Sequence, residues 1–217
     1  RLMKGNFSVD NGATLTMKAA SVIHIEDGHM TLNSGVFTGT ASYNVEYMGS
    51  AQTAGAELTG NGLNNIMVNL TSGASRVKLN HDVAVAGKLS LKNGKIYLNG
   101  NDLTLNGTMD QMSQATLVGD ANSSLILNIV TSGDTLYFDN DSSTIRKLVV
   151  NTTGSGYVML GSALTIANEV DMTSGKFDLS DADMIMNSGA IVSGYNDSRY
   201  LITSGTGRLH MNITSGG

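Results

Sequence analysis

The sequence contains no cysteine and no proline, and only 14% of its 217 residues are charged. The absence of cysteine excludes disulfides and thiolate metal sites. The absence of proline fits a sheet in which most strands have neighbours on both sides and need every backbone N–H. Aromatic residues make up 5% of the chain, so the core of the protein has to consist mainly of aliphatic side chains.

The lack of basic clusters and of long apolar runs limits which kinds of partner the chain can bind. The net charge is −5, and the densest basic spot is the pair Arg146 and Lys147, so the sequence excludes nucleic acid as a partner. No apolar run reaches the ~18 residues that a membrane-spanning helix needs, and no membrane span is predicted. The polar surface must instead be built from Asn, Ser, Thr and Gly, which suits an extracellular sheet.

A short apolar pattern organises the chain, and it is clearest over residues 88–107. Within each apolar pair the residues are two positions apart, as in a strand with one buried face. Successive pairs are seven residues apart and are separated by breaks rich in Gly, Asn, Asp or Lys, which turn the chain. The three pairs are Leu89 and Leu91, Ile96 and Leu98, and Leu103 and Leu105.

The same pattern returns over residues 169–189, where Val170 stands in the place of Leu89, and a looser copy opens the chain around Phe7 and Val9. A second landmark, LILNIVTSG at 125–133, returns at 209–216 and more weakly at 43–50. We therefore divide one domain, residues 1–217, into stacked repeats of about 82 residues each. The repeats are a partial unit at 1–42, full units at 43–124 and 125–208, and the start of a further unit at 209–217.

The spacing predicts an all-β parallel β-solenoid of roughly ten short coils with essentially no helix. Apolar pairs come every six or seven residues, whereas the strands of a sandwich usually come every 8–12 residues. Three sides make a coil of about 20 residues, which places Leu103 over Val83 and Ile96 over Val77. The alternative fold is an antiparallel β-sandwich.

The run from Tyr43 to Gly107 resembles a repeat of large secreted proteins of the Bacteroidota. The shared elements are a Tyr-rich strand, the run Gly49-Ser50-Ala51-Gln52-Thr53, an Asn-Ile strand at Asn65-Ile66, and a Gly94–Gly107 segment of short Leu pairs. The resemblance implies the β-solenoid repeats of cell-surface adhesins or gliding-type filaments, exported by the type IX secretion route. It therefore implies an extracellular location at the cell surface.

Asp181 and Asp183 are the residues most suggestive of catalysis, because paired carboxylates on one strand face occur in β-helix polysaccharide lyases and hydrolases. Glycosidase chemistry needs two carboxylates at a defined separation, one with a raised pKa. In the other unit Asp102 aligns with Asp183, but Gly100 stands where Asp181 would be. Solvated turn carboxylates are the favoured interpretation, and we predict no enzyme activity.

Other candidate sites rest on short motifs. Asp139 and Asp141 resemble a fragment of a calcium loop, but the Gly and the distant Glu of a full loop are missing. Calcium is therefore a weak candidate, and no other cofactor is predicted. The four histidines are scattered and predict no zinc site. Under the Bacteroidota resemblance, Asp134-Thr135-Leu136 matches a short O-glycosylation acceptor, with Thr135 as the candidate residue.

These observations predict a structural or adhesive segment of an extracellular surface protein or filament. Two alternatives stay open: a carbohydrate-active β-helix enzyme, and a self-assembling filament subunit joined end to end. An open coil would leave Met211 and Ile213 bare for end-to-end pairing. The expected partners are neighbouring repeats or further copies of the chain, and surface glycans.

Overall fold

The chain folds, in a computed structural model, as a parallel β-solenoid of about nine turns. The structure describes residues 2–129, 133–153 and 156–212. Every pair between named strands is parallel, so the alternative of an antiparallel sandwich is wrong. Within the described residues the only helix is a single 3-10 turn at Ala56–Leu58, as the prediction of essentially no helix requires.

The strands are short because each coil turns after every side. In chain order they are β1 (Leu2–Lys4), β2 (Phe7–Asp10), β3 (Thr14–Thr16), β4 (Ser21–Asp27), β5 (Met30–Asn33), β6 (Val36–Thr38), β7 (Tyr43–Gly49), β8 (Gln52–Thr53), β9 (Leu63–Leu70), β10 (Arg76–Lys78), β11 (Val83–Val85), β12 (Lys88–Asn93), β13 (Lys95–Tyr97), β14 (Leu103–Leu105), β15 (Thr108–Gln111), β16 (Thr116–Val118), β17 (Ser124–Leu127), β18 (Asp134–Leu136), β19 (Thr144–Asn151), β20 (Tyr157–Leu160), β21 (Leu164–Ser174), β22 (Lys176–Asp178), β23 (Met184–Met186), β24 (Ile191–Ser193), β25 (Tyr200–Ile202) and β26 (Leu209–Met211).

Each coil contributes one side to each of three faces. Face 1 carries β1, β4, β7, β9, β12 and β15, followed by β18, β20, β22 and β25. Face 2 includes β8, β10, β13 and β16, and ends with β23 and β26. Face 3 includes β11, β14 and β17, followed by the later parts of the long strands β19 and β21. The strands β19 and β21 are long because each bends around the corner between faces 2 and 3.

The registers place the apolar pairs of one coil directly on those of the next. This stacking buries one face of each strand from β7 to β23, because side chains alternate along a strand. The two predicted contacts between coils, Leu103 on Val83 and Ile96 on Val77, are confirmed. The second unit has the equivalent contacts, Met184 on Leu164 and Phe177 on Val158.

One continuous apolar core fills the solenoid from Val9 to Ala190. The short apolar pairs of the first full unit all lie in it, with each side chain at most 3% exposed. They are Val77, Leu79, Val83, Val85, Leu89, Leu91, Ile96, Leu98, Leu103 and Leu105. Aliphatic residues dominate the core because the chain has so few aromatics to bury.

The repeat does not contain a whole number of coils. From β7 to β16 the first full unit has eleven sides, if the 3-10 turn at 56–58 counts as one. The second unit therefore begins one face early: β7 lies on face 1, whereas its counterpart β17 pairs with β14 on face 3. The next counterpart, β26, pairs with β23 on face 2. Equivalent residues of successive units thus point about a third of a turn apart.

The looser copy near the start follows a different count. Phe7 in β2 corresponds to Ile96 in β13, and these two strands are separated by twelve sides, or four whole coils. The two equivalents therefore lie on the same face. The step along the chain from Phe7 to Ile96 is longer than the step from Ile96 to Phe177, and the excess corresponds to one side of the solenoid.

Candidate functional site

A polar groove runs parallel to the solenoid axis along face 2 of the second unit. It consists of two adjoining clefts of about 440 and 430 Å³ that share Gly161 and Ser162. The first cleft is also lined by Ser113, Thr116, Tyr137, Phe138, Asp139, Asn140 and Asp141. The second is also lined by Ala163, Asp181, Ala182, Asp183, Thr206 and Arg208. The groove thus contains both the predicted calcium pair and the predicted carboxylate pair.

A tight turn after β18 holds the carboxylates of the first cleft. Asp139 and Ser142 form an antiparallel bridge across the turn, and Asp141 N donates to Asp139 Oδ1 at 3.2 Å. Asp139 Oδ2 pairs with Lys95 Nζ at 2.5 Å, two coils away in the stack. This bond from Lys95 holds the pKa of Asp139 below its usual range, and the same bond raises the pKa of Lys95.

The next coil forms the floor of the groove through Gly161 and Ser162. The Ser162 hydroxyl accepts from Phe138 N at 2.6 Å and donates to Phe138 O at 3.0 Å, in place of a backbone ladder contact. A Cβ at Gly161 would lie 2.3 Å from the ring atom Cε1 of Tyr137. Only glycine therefore lets the Tyr137 ring rest against this coil.

In the second cleft, Asp181 and Asp183 form hydrogen bonds to the backbone of the following coil. Asp181 Oδ1 accepts from Thr206 N at 2.9 Å, and Asp183 Oδ1 accepts from Arg208 N at 2.9 Å. Asp183 Oδ2 also lies 3.2 Å from His210 Nε2. The Arg208 N–H and then His210 keep the pKa of Asp183 below its usual range. In the first unit, Asp102 forms the equivalent hydrogen bond to the following coil, accepting from Ser124 N at 2.7 Å.

The groove brings together side chains that can donate and accept hydrogen bonds. A carboxyl that acts as general acid in glycoside cleavage needs a raised pKa. The pKa values of Asp139 and Asp183 are both lowered instead. The groove offers carboxylates, hydroxyls, an amide and a guanidinium along one line, next to the Tyr137 ring.

The calcium candidates lie together in one turn, but their donors are partly occupied. One oxygen of Asp139 binds Lys95 and the other accepts from the backbone of Asp141. Among the described residues, no group of three or more His, Cys, Asp or Glu side chains is placed to hold a metal ion. A calcium ion at Asp139 and Asp141 would therefore have to displace Lys95 and take most of its ligands from water or backbone.

The remaining predicted sites lie outside the groove lining. Thr135 is half-buried in the middle of β18, paired with Met159 of the next coil. Met211 ends β26 and is 52% exposed. Ile213, its predicted companion in end-to-end pairing, lies outside the described residues. Glycosylation at Thr135 and pairing at Met211 both stay predictions.

A buried polar cluster around Glu57 was not predicted. Glu57 is fully buried; its Oε1 accepts from Tyr47 Oη at 2.6 Å and Gly55 N at 2.7 Å, and its Oε2 accepts from Met30 N at 2.9 Å. Tyr43 Oη donates to the Glu57 backbone oxygen at 2.9 Å. Burial, followed by the nearby Glu57, raises the pKa of Tyr47 well above its usual value. The sequence does carry a signal for this cluster. Glu57 is the one charged residue in an Ala- and Gly-rich connection, and it follows Tyr43 and Tyr47 by two sides of the coil.

The comparisons with known proteins give no relative. The chain matches no protein-family model, no curated protein and no solved structure. Among the described residues, no helix is long and apolar enough to cross a membrane.

Proposed function

We propose that this chain is a structural and adhesive rod segment of an extracellular bacterial surface protein or filament, without catalytic activity. The observation that carries this proposal is that the candidate catalytic carboxylates form hydrogen bonds between coils. Asp102, Asp181 and Asp183 all accept a backbone N–H from the following coil, so the residues most suited to catalysis hold the stack together. The resemblance to secreted Bacteroidota repeats supports the extracellular location.

The surface supports the same role. Asn128 donates from Nδ2 to Asn106 Oδ1 at 2.8 Å, and Asn151 donates to Asn128 Oδ1 at the same distance. Such a ladder along the axis repeats the backbone pairing with side chains. With ten strands on face 1 and ~4.8 Å between strands, the described part forms a rod ~43 Å long. A rod whose coils are joined by such side-chain contacts is suited to spacing and display.

The rival function is a polysaccharide lyase or hydrolase acting through Asp181 and Asp183. To test it, the purified chain is incubated with a panel of neutral and acidic polysaccharides while new reducing ends and unsaturated uronates are measured. We expect no product above a heat-denatured control. Turnover that disappears in the double variant Asp181→Asn/Asp183→Asn, but persists in a matched Asp120→Asn variant, would contradict the proposal.

End-to-end assembly is a second candidate, favoured by the last described strand. β26 pairs with β23 on one side, and its residues Leu209 and Met211 are 36% and 52% exposed. Such an apolar strand edge is a template for a further coil, supplied by more of the same chain or by a second copy. We expect the mass of the purified chain in solution to rise with concentration.

The assembly test has a matched control within the chain. Met211→Asp should abolish the concentration dependence, whereas Met112→Asp, at a 43% exposed methionine in the middle of the rod, should not. A constant monomer mass for the unaltered chain would exclude end-to-end assembly and leave the proposed rod function unaffected.

A further inference from the structure

We propose that the groove on face 2 is a binding site for a neutral oligosaccharide that lies parallel to the solenoid axis. The inference deepens the proposed adhesive function and rests on it. The groove crosses five successive coils, represented by Ser113, Asp141, Ser162, Asp183 and Arg208. Four spacings of ~4.8 Å give a length of ~19 Å, which fits an extended chain of several sugars better than a single small molecule.

The groups that line the groove divide into two sets. Asp139, Asp181 and Asp183 are engaged in fastening coils. By contrast, a second set has side chains that make no hydrogen bond or ion pair within the part of the chain that the structure describes. That set consists of the Ser113 hydroxyl, the Asn140 amide, the Asp141 carboxyl and the Arg208 guanidinium. It offers both donors and acceptors, which is what sugar hydroxyls need, since each hydroxyl donates and accepts.

Tyr137 supplies the apolar element of the site. Tyr137 is half-buried and lines the first cleft, and its ring lies against Gly161. The Gln111 side-chain amide holds the backbone of Tyr137, donating to Tyr137 O and accepting from Tyr137 N. A rigid aromatic face beside a few placed polar groups is the usual construction of a small-ligand site. The C–H face of a pyranose ring can pack on it while its hydroxyls reach Asn140 and Asp141.

The charge of the groove selects among glycans. Four carboxylates line it against one guanidinium, with Lys95 already paired to Asp139. An anionic ligand such as a uronate chain or a phosphate would therefore meet like charges. The geometry favours neutral sugars.

The first unit contains a natural comparison. Its corresponding cleft is smaller, about 300 Å³, and lies on a different face because the units are offset. Gly55 occupies the position that Tyr137 has in the second unit, so the ring is missing. His81 stands where the second unit has Ser162. We expect this cleft, lined by Leu58, Thr59, Gly60, Asn61, His81, Asp82 and Ala84, not to bind the sugar.

The test is a titration of the ¹⁵N-labelled 217-residue chain with neutral oligosaccharides of glucose, xylose, mannose and N-acetylglucosamine, and with oligogalacturonate as the anionic probe. We expect at least one neutral oligosaccharide to shift the backbone amides of Asn140, Asp141, Ala163 and Thr206. Those of Asn61 and His81 should stay unchanged, and oligogalacturonate should shift none of them.

Two variants sharpen the result. Tyr137→Leu should weaken binding by about tenfold or more, because an aromatic anchor is lost. Asp141→Ala, at an exposed turn residue, should also weaken it, whereas Thr59→Ala in the first-unit cleft should not. The proposal is overturned if no neutral oligosaccharide shifts the groove amides, if both groove variants bind normally, or if oligogalacturonate binds equally well. Absence of binding would leave the non-catalytic rod proposal intact; conversion of the bound sugar to products would refute that proposal instead.

Discussion

Glu57 and Asp139 occupy the same place in successive units, yet one carboxyl is buried and the other faces the groove. Glu57 is inside because Tyr47 and two backbone N–H groups bind its oxygens there. The second unit has Ile129 at the position of Tyr47, and so lacks that hydroxyl. Asp139 instead turns outward to Lys95.

The difference shows that the partners in neighbouring coils decide whether a repeat position is buried. A carboxyl can lie in the core only where hydrogen-bond donors are placed to bind it, because burying an unpaired polar group in an apolar interior costs free energy. Where those donors are missing, the carboxyl at the same position turns to the surface and pairs there, as Asp139 does with Lys95. The first unit thus gains a polar core cluster, and the second gains a groove.

The largest effect is expected when a carboxyl is buried without partners. Leu98→Asp places a charge in the apolar part of the first-unit core, where Leu98 is fully buried. We expect a loss of several kcal/mol in the free energy of unfolding, or no folded protein, because nothing there offsets the desolvation. Denaturant unfolding measures it, with the outward-facing Ser90→Asp as control. A cost near that of Ser90→Asp would contradict the account.

Removing the partnered carboxyl should come next. Glu57→Ala leaves Tyr47 Oη and the N–H groups of Gly55 and Met30 without acceptors, so we expect a loss of about 3 kcal/mol. The equivalent Asp139→Ala should cost at most about 1 kcal/mol, because its pair with Lys95 is near the surface. Equal costs for the two substitutions would mean that the burial difference has no energetic basis.

The two carboxyl environments should also respond to pH in opposite ranges. The pKa of Tyr47 is raised, so its contribution to stability is complete below its unfolded value of about 10 and is lost as pH rises beyond it. Tyr47→Phe should therefore flatten the alkaline decline in stability measured by thermal unfolding. An unchanged decline in that variant would show that Tyr47 does not ionise on unfolding.

The smallest effect is expected at acidic pH. The pKa of Asp139 is lowered, so its contribution exists above its unfolded value of about 3.9 and is lost as pH falls below it. Lys95→Met should remove most of this acid dependence, and the double variant Lys95→Met/Asp139→Asn should behave like Lys95→Met. Additive effects of the two substitutions would contradict the pairing.

Much of the fold followed from spacing alone. Apolar pairs at six- or seven-residue steps predicted the coil, and the stacking of Leu103 on Val83 is confirmed. Residues 107–124 do not continue the pattern of apolar pairs, yet they contain the strands β15 and β16, and Met109 is only 3% exposed. Gly107 and Gln111 stand two positions before and after Met109, so β15 has no apolar pair for the pattern to show.

The site was predicted only in fragments. Asp139, Asp141, Asp181 and Asp183 were singled out as two separate motifs, and the sequence held no sign that adjacent coils bring them into one groove. That proximity depends on the register of the coils. The sequence shows that the three copies of the pattern are separated by unequal numbers of residues. Only the folded solenoid, in which the sides can be counted, shows that this inequality moves equivalent strands to different faces.

The offset of the two units is the claim on which the contrast between the two clefts depends, and distances between paired spin labels test it most directly. The chain has no native cysteine, so introduced cysteines are the only attachment sites. Thr104 and Ser193 lie four coils apart on face 3, which gives a backbone separation of ~19 Å. Thr104 and Ile185 occupy equivalent positions in the two units, but Ile185 lies on face 2 of the coil that contains Ser193, so the Thr104–Ile185 distance should be longer than the Thr104–Ser193 distance. A Thr104–Ile185 distance equal to or shorter than the Thr104–Ser193 distance would show that the units are in phase, and would contradict the account.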